Sequence, residues 1–186
     1  QIISPGAGVV NAIDPETGKE IWRVTYDGYS VIPRPVFGHG LVFLSTSYDS
    51  PNILAIRPDG HGDVTDTHVE WSLKKGAPHT PSPLLVGDEL YLVSDGGIAS
   101  CVDAKTGEVH WSERIGTKYS ASPVYVDGKI YFQDEEGKGT VLSAGTKFQK
   151  LGENGFKEPT LASYCVGDGA IFVRTDKRLY KVAEGR

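Results

Sequence analysis

One phrase occurs twice in this chain. "DPETGKEIW", from Asp14 to Trp22, returns as "DAKTGEVHW", from Asp103 to Trp111: an acid, then Thr-Gly, then Trp four residues past the glycine. A third tryptophan, Trp71, falls between them. A second phrase recurs independently. "SPLLVGDELY", starting at Ser82, aligns without gaps on "SPVYVDGKIY" from Ser122 and on "RPVFGHGLVF" from Arg34. A degenerate copy, "SYCVGDGAIF", starts at Ser163. Both phrases give a unit of about 40 residues, lengthened once between Arg34 and Ser82. A chain built this way must bury the faces of each unit against neighbouring copies, because no unit of that size closes a core alone.

Each unit reads as four strands. "PLLV" is the first, the Gly-Asp or Asp-Gly pair is a hairpin turn, and "LYLVSD" is the second. "IASCVDA" is the third, and "EVHWSER" follows the Thr-Gly turn as the fourth. The repeated phrase then has a mechanism. The carboxylates of Asp14 and Asp103 accept backbone N–H groups within the turn, and Gly18 and Gly107 take the positive φ it needs. Trp22, Trp71 and Trp111 offer large apolar faces to the next sheet. Four-stranded units of this length arrayed radially make an all-β protein, a β-propeller of antiparallel blades. Residues 1–28 are expected to hold strands three and four of a first, partial blade. Residues 29–76, 77–116 and 117–157 are whole blades, and 158–186 hold strands one to three of a last. In the 117–157 blade the turn phrase has decayed to "VLSAGTKFQKL", with Leu151 expected where Trp would sit.

Composition narrows the class. Hydrophobic residues at 39% and charged residues at 23% are those of an ordinary globular chain. The net charge of −5 comes without a basic stripe, which argues against nucleic acid as a partner. No apolar run is long enough to span a bilayer. The chain has no Met and starts in strand-like sequence, so it is expected to be a processed or excised piece. Cys101 and Cys165 form no metal-ligand pattern, and each is expected to be a small buried hydrophobe. The lengthened unit carries "RPDGHGDVTDTHVEW". Asp59, Asp63 and Asp66 there miss the spacing of a calcium loop, so a solvated long hairpin is expected.

"AIDPETGKEIWRV", "SPLLVGDELYLVSDGGIASCVDAKTGEVHWSERIG" and "SASPVYVDGKIYF" resemble repeats of the quinoprotein-like, or PQQ-like, β-propeller superfamily. The resemblance covers nearly the whole chain. More narrowly it resembles secreted PQQ-like repeat proteins of planctomycetes and related bacteria, with the outer-membrane assembly lipoprotein BamB a more distant resemblance. It implies a ring of seven or eight blades, of which this chain would supply about four blades' worth, and a periplasmic or secreted location. Two functions follow from different classes. One is a quinone-dependent dehydrogenase with PQQ and calcium at the axis. The sequence lacks the adjacent cysteine pair often seen in the alcohol dehydrogenases, and Asp14 and Asp103 fit the turn role instead. The other is a non-catalytic binding or scaffold module of the cell envelope, or a ligand-sensing domain of a larger protein. That second class is the expectation, without catalytic residue, metal or cofactor.

A candidate site is placed where the chain leads into each first strand, the innermost of its blade. Ser82, Ser122, Ser163 and Arg34 hold the aligned positions, and the preceding loops add Tyr29, His79, Lys118 and Tyr119. These predict a cationic and aromatic channel mouth suited to a protein partner or a small anionic or sugar ligand; Arg34 is expected to pair with a nearby carboxylate of the chain or, on the sharper reading, to fork the carboxylate of a ligand. Incomplete end blades predict open edges around Trp22 and Ile171, and a homodimer that pairs them.

Overall fold

Short apolar runs punctuated by glycine turns fold as strands throughout the computed structural model, which describes residues 1–183. Nineteen strands form five sheets, and no helix occurs among the described residues. The first blade holds β1 (Ile2–Gly6), β2 (Val9–Ile13) and β3 (Glu20–Thr25). The second holds β4 (Val36–Gly38), β5 (Leu41–Ser45), β6 (Ile53–Ile56) and β8 (Val69–Leu73); β7 (Gly62–Asp63) belongs elsewhere. The third holds β9 (Leu84–Val86), β10 (Glu89–Val93), β11 (Ile98–Asp103) and β12 (Val109–Arg114). The fourth holds β13 (Val124–Val126), β14 (Lys129–Gln133), β15 (Lys138–Ser143) and β16 (Lys150–Gly155). The fifth holds β17 (Cys165–Gly167), β18 (Ala170–Arg174) and β19 (Leu179–Ala183).

Apart from β7, the strands of each sheet pair antiparallel in chain order. The three-residue first strands are the innermost: β4 adjoins β9, and β9 adjoins β13, across blade boundaries. Hairpins between first and second strands turn through His39-Gly40, Asp127-Gly128 and Asp168-Gly169, all at positive φ, as a two-residue turn of right-twisted strands requires.

The first blade differs from expectation. β1 is a second strand, paired with β2 from Ile2↔Ile13 to Gly6↔Val9, so this blade carries strands two, three and four. Pro5 and Gly6 read as turn residues. Pro5 is tolerated because β1 is an edge strand of its sheet, where a missing N–H costs no ladder bond. The lengthened second blade is also not a solvated hairpin. Its extra residues reach back, and β7 pairs parallel with β3, Trp22↔Gly62 and Arg23↔Asp63. Val64 is buried in the core between the first two blades, and Thr65 Oγ1 accepts the Thr25 N–H at 2.9 Å. This clamp covers the outer edge of the first blade. The insertion's acids are spent on it separately: Asp63 on Thr65 and Arg23, Asp59 on Arg57 and His68.

Three apolar clusters lie between blades rather than within them, and a tryptophan belongs to each boundary. The Trp71 indole N–H donates to Ala104 O and that of Trp111 to Gly145 O, each 3.0 Å away in the next blade. At the first boundary Gln1 relays the link, accepting from Trp22 Nε1 and donating to Pro58 O. In each case the Trp lies opposite a small residue: Ala12, Ala55 or Cys101. A bulge precedes the tryptophan every time, so Ile21, Glu70 and His110 are the extra residues. The same register in the fourth blade pairs Val141 with Gly152 and leaves Leu151 in the bulge. Gly152, not Leu151, therefore stands where Trp belongs.

The repeated turn behaves as its residues dictate. Asp103 Oδ1 accepts the N–H groups of Lys105 and Thr106 at 2.9 and 2.8 Å, and Asp14 Oδ1 does the same for Glu16 and Thr17. Those N–H bonds hold both carboxyls below their usual range, the Thr106 amide contributing most at Asp103 and the Glu16 amide at Asp14. The two cysteines are free. Cys101 is buried, and burial pushes its thiol up to about 12. Cys165 is exposed, contrary to expectation, because β17 has no neighbouring blade over it among the described residues.

Candidate functional site

The two rims of the row of blades are built differently. The bottom rim carries the first-to-second-strand hairpins and the Thr-Gly turns, tied together by Ala104 N–H to Asp88 O and Ala144 N–H to Gly128 O. The top rim carries the loops that lead into each first strand and the turns between second and third strands. Its hydrogen bonds run across blade boundaries: Tyr119 N–H to Asp95 O, and Thr160 N–H to Glu135 O. Ser47 Oγ donates to Ser30 O and His79 O, and Ser45 Oγ to Pro78 O. Loops without regular structure are thereby held in fixed positions.

Beneath this rim the aligned serines form a relay. Arg34 N–H donates to Ser82 Oγ at 2.9 Å, Ser82 N–H to Ser122 Oγ at 3.0 Å, and Ser122 N–H to Ser163 Oγ at 2.9 Å. Each hydroxyl satisfies the one backbone donor that the preceding blade directs at it. The serines are joints between blades. Arg34 is the first link and only donates, so its position needs no side-chain acceptor among the described residues. Its guanidinium is exposed, with no carboxylate within salt-bridge distance among them.

Of the loop residues, the structure brings Tyr29 and His79 together and sets Tyr119 apart. Tyr119 is 1% exposed in the core between the third and fourth blades, and burial pushes its phenol up to about 12. Tyr29 stacks on Tyr48 with ring centroids 6.1 Å apart, and Tyr48 meets His79 edge-on at 5.3 Å. Both tyrosines are exposed, at 47% and 42%. The Asp49 carboxylate beside Tyr29 raises its phenol above the ordinary value. Ser30, Ser47 and Asp49 all have positive φ, three non-glycine residues in the left-handed region within one patch. Such strain gathers where surrounding structure over-determines a loop, often at binding sites.

The rim also holds acids that sequence reading passed over. Asp95, Glu135 and Asp176 occupy one position, just past the second strand of successive blades. Asp95 Oδ2 accepts the His79 N–H at 2.7 Å. Glu135 accepts from Ser120 Oγ at 2.6 Å and pairs with Lys118 at 2.8 Å, and the Lys118 ammonium draws its carboxyl below the usual range. Asp176 and Glu135, with Arg174, Thr160 and Leu161, border a cleft of about 560 Å³ at the fourth blade boundary. The rim therefore carries a carboxylate at the same position of the third to fifth blades, interspersed with Lys118 and Arg174, and an aromatic cluster at the second and third. The alignment carried the signal, since "SD", "DE" and "TD" fall in register after the second strand.

Four-stranded blades joined through tryptophan boundaries, with innermost first strands, define a PQQ-like β-propeller repeat protein. A family profile described as outer membrane protein assembly factor BamB matches residues 6–150, and the chain belongs to that family. Among solved structures it is similar to BamB from Moraxella catarrhalis, with 14% identity and a TM-score of 0.73 over 94% of this chain and 51% of that one. It is also similar to the computationally designed Ika8 protein, with 14% identity and a TM-score of 0.77 over 98% of this chain and 55% of that one. A europium-containing methanol dehydrogenase matches less of it, at 12% identity and a TM-score of 0.50 over 64% of this chain and 23% of that one. No curated protein sequence matches significantly. The chain spans about half the length of BamB and of the designed protein.

Proposed function

We propose that the chain is a non-catalytic binding and scaffold module of the cell envelope, periplasmic or secreted, which engages partner proteins through its top rim. The observation that carries this reading is the Tyr29–Tyr48–His79 cluster, exposed on loops that cross-blade hydrogen bonds hold in place. Rigid, exposed aromatic side chains supply contact area at low entropic cost, which suits recognition. The recurrent carboxylates beside the cluster favour a basic or hydroxyl-rich surface on the partner over the anionic ligand suggested by Arg34. Membership of the BamB family supports an envelope setting.

The dehydrogenase alternative asks for calcium and PQQ. Among the described residues no three His, Cys, Asp or Glu side chains converge as a ligand set for that calcium. With PQQ and calcium added, dye-linked oxidation of methanol, ethanol or glucose is expected to stay at the level of a heat-killed control. Turnover requiring both additions overturns the non-catalytic reading. We further propose that a second copy of the chain covers the open blade faces, giving a homodimeric ring.

A further inference from the structure

The turn between second and third strands is four residues long in the third, fourth and fifth blades: Ser94–Gly97, Asp134–Gly137 and Thr175–Arg178. In the second blade it runs over seven, Thr46–Asn52. The short turns of the third and fourth blades close on one backbone bond each, Gly97 N–H to Ser94 O and Gly137 N–H to Asp134 O. The long turn is closed lower down, by Thr46 N–H to Asn52 O and Thr46 Oγ1 to Ser50 O. Tyr48 and Asp49 stand within it. An insertion in one copy of a repeat goes to a loop on one face, and such loops often carry binding.

The Tyr48 ring is fixed from two sides. Tyr29 stacks on it, with Tyr48 N–H donating to Tyr29 O at 3.2 Å, and His79 meets it edge-on. Charge at this corner is unbalanced. Asp49 lies beside Tyr29 and takes part in no ion pair among the described residues. Lys74 borders the cleft behind the turn, which Ser50 and Asn52 line and Tyr48 and Asp49 do not. Aromatic faces carry partial negative charge, so two exposed rings beside an unpaired carboxylate attract a cation. A guanidinium suits the corner better than an ammonium. Being flat, it stacks on a phenol ring while the N–H groups at its edge reach a carboxylate.

We propose that the corner formed by Tyr29, Tyr48 and Asp49 seats an arginine side chain of the partner protein. The guanidinium stacks on a tyrosine ring and donates to the Asp49 carboxylate. This seat rests on the top rim being the partner surface, and it adds the side chain that the rim selects.

Titration of the full chain with N-acetyl-Gly-Arg-Gly-amide, followed by nuclear magnetic resonance, tests it against the same peptide carrying lysine or citrulline. Saturable shifts of the Tyr29 and Tyr48 rings are expected, with arginine bound more tightly than lysine. Citrulline keeps the shape and loses the charge, and with it both attractions, so it is expected to bind about tenfold more weakly than arginine. Asp49→Asn removes only the charge, because asparagine is at ease at the φ of +69° found there. It is expected to weaken the arginine peptide about threefold, the worth of an exposed ion pair, and to leave the citrulline peptide unchanged. No saturation by the arginine peptide at millimolar concentration, equal affinity for the lysine or citrulline peptide, or arginine affinity unchanged by Asp49→Asn overturns the proposal. If position 48 crosslinks to a partner in host cells despite any of these results, the rim remains the partner surface and the arginine seat alone falls.

Discussion

Gly107 answers two demands at once, and Gly18 only one of them. Both sit at positive φ in the same turn phrase, at +76° and +68°. A Cβ on Gly107 would stand 2.8 Å from the Trp71 ring, whereas one on Gly18 meets nothing within 4 Å. Alanine at Gly18 should therefore cost only the left-handed penalty, about 1–2 kcal/mol. Alanine at Gly107 adds overpacking against the indole, about 1–3 kcal/mol more. Urea unfolding of the two variants separates these contributions; equal losses would mean that Trp71 is not seated on the turn. The sequence showed this phrase clearly, because turn chemistry is local and needs an acid and a glycine at fixed spacing. It did not show that the tryptophan of one blade rests on the glycine of the next. That contact joins residues far apart in the chain, and a phrase comparison aligns them without bringing them together. The Leu151 misassignment has a similar cause: one bulge residue shifts the face of every later side chain, and only the ladder reveals it.

Elements are joined by small polar links as well as by apolar boundaries. The lead-in serines were legible as a repeated position, but their role was not, since an aligned hydroxyl reads equally well as a ligand or as a joint. Each accepts a backbone N–H from the blade before it. Ser122→Ala should leave the Ser82 N–H without its acceptor and cost about 1–2 kcal/mol, read as a lower urea midpoint at unchanged slope. Faster amide exchange at Ser82 should accompany it, and an unaltered exchange rate there would count against the relay. The β7 clamp was hidden for another reason. "GD" within a polar insertion has no strand periodicity, and its partner β3 lies a whole blade upstream. Pairing is set there by the exposed edge of the first blade and by Val64, whose burial anchors the returning loop.

At the scale of the molecule, the chain presents open faces at both ends of its row of blades. Ile2 at one end and Leu179 and Val182 at the other are exposed, at 53%, 71% and 47%. The chain covers 51% of the Moraxella BamB and 55% of the designed protein, so two copies supply about one such ring. Light scattering should give twice the chain mass at micromolar concentration, and a monomer there would remove the homodimer. The top rim is the surface on which this propeller is proposed to meet its partner. Tyr48 lies on that rim, and Val109, of similar exposure at 41%, lies beside the Thr-Gly turn on the opposite one. A photo-crosslinking residue placed at each position in native host cells tests the claim most directly. Discrete crosslinked products are expected from position 48 and none from position 109. Equal products from both, or products from position 109 alone, would contradict it.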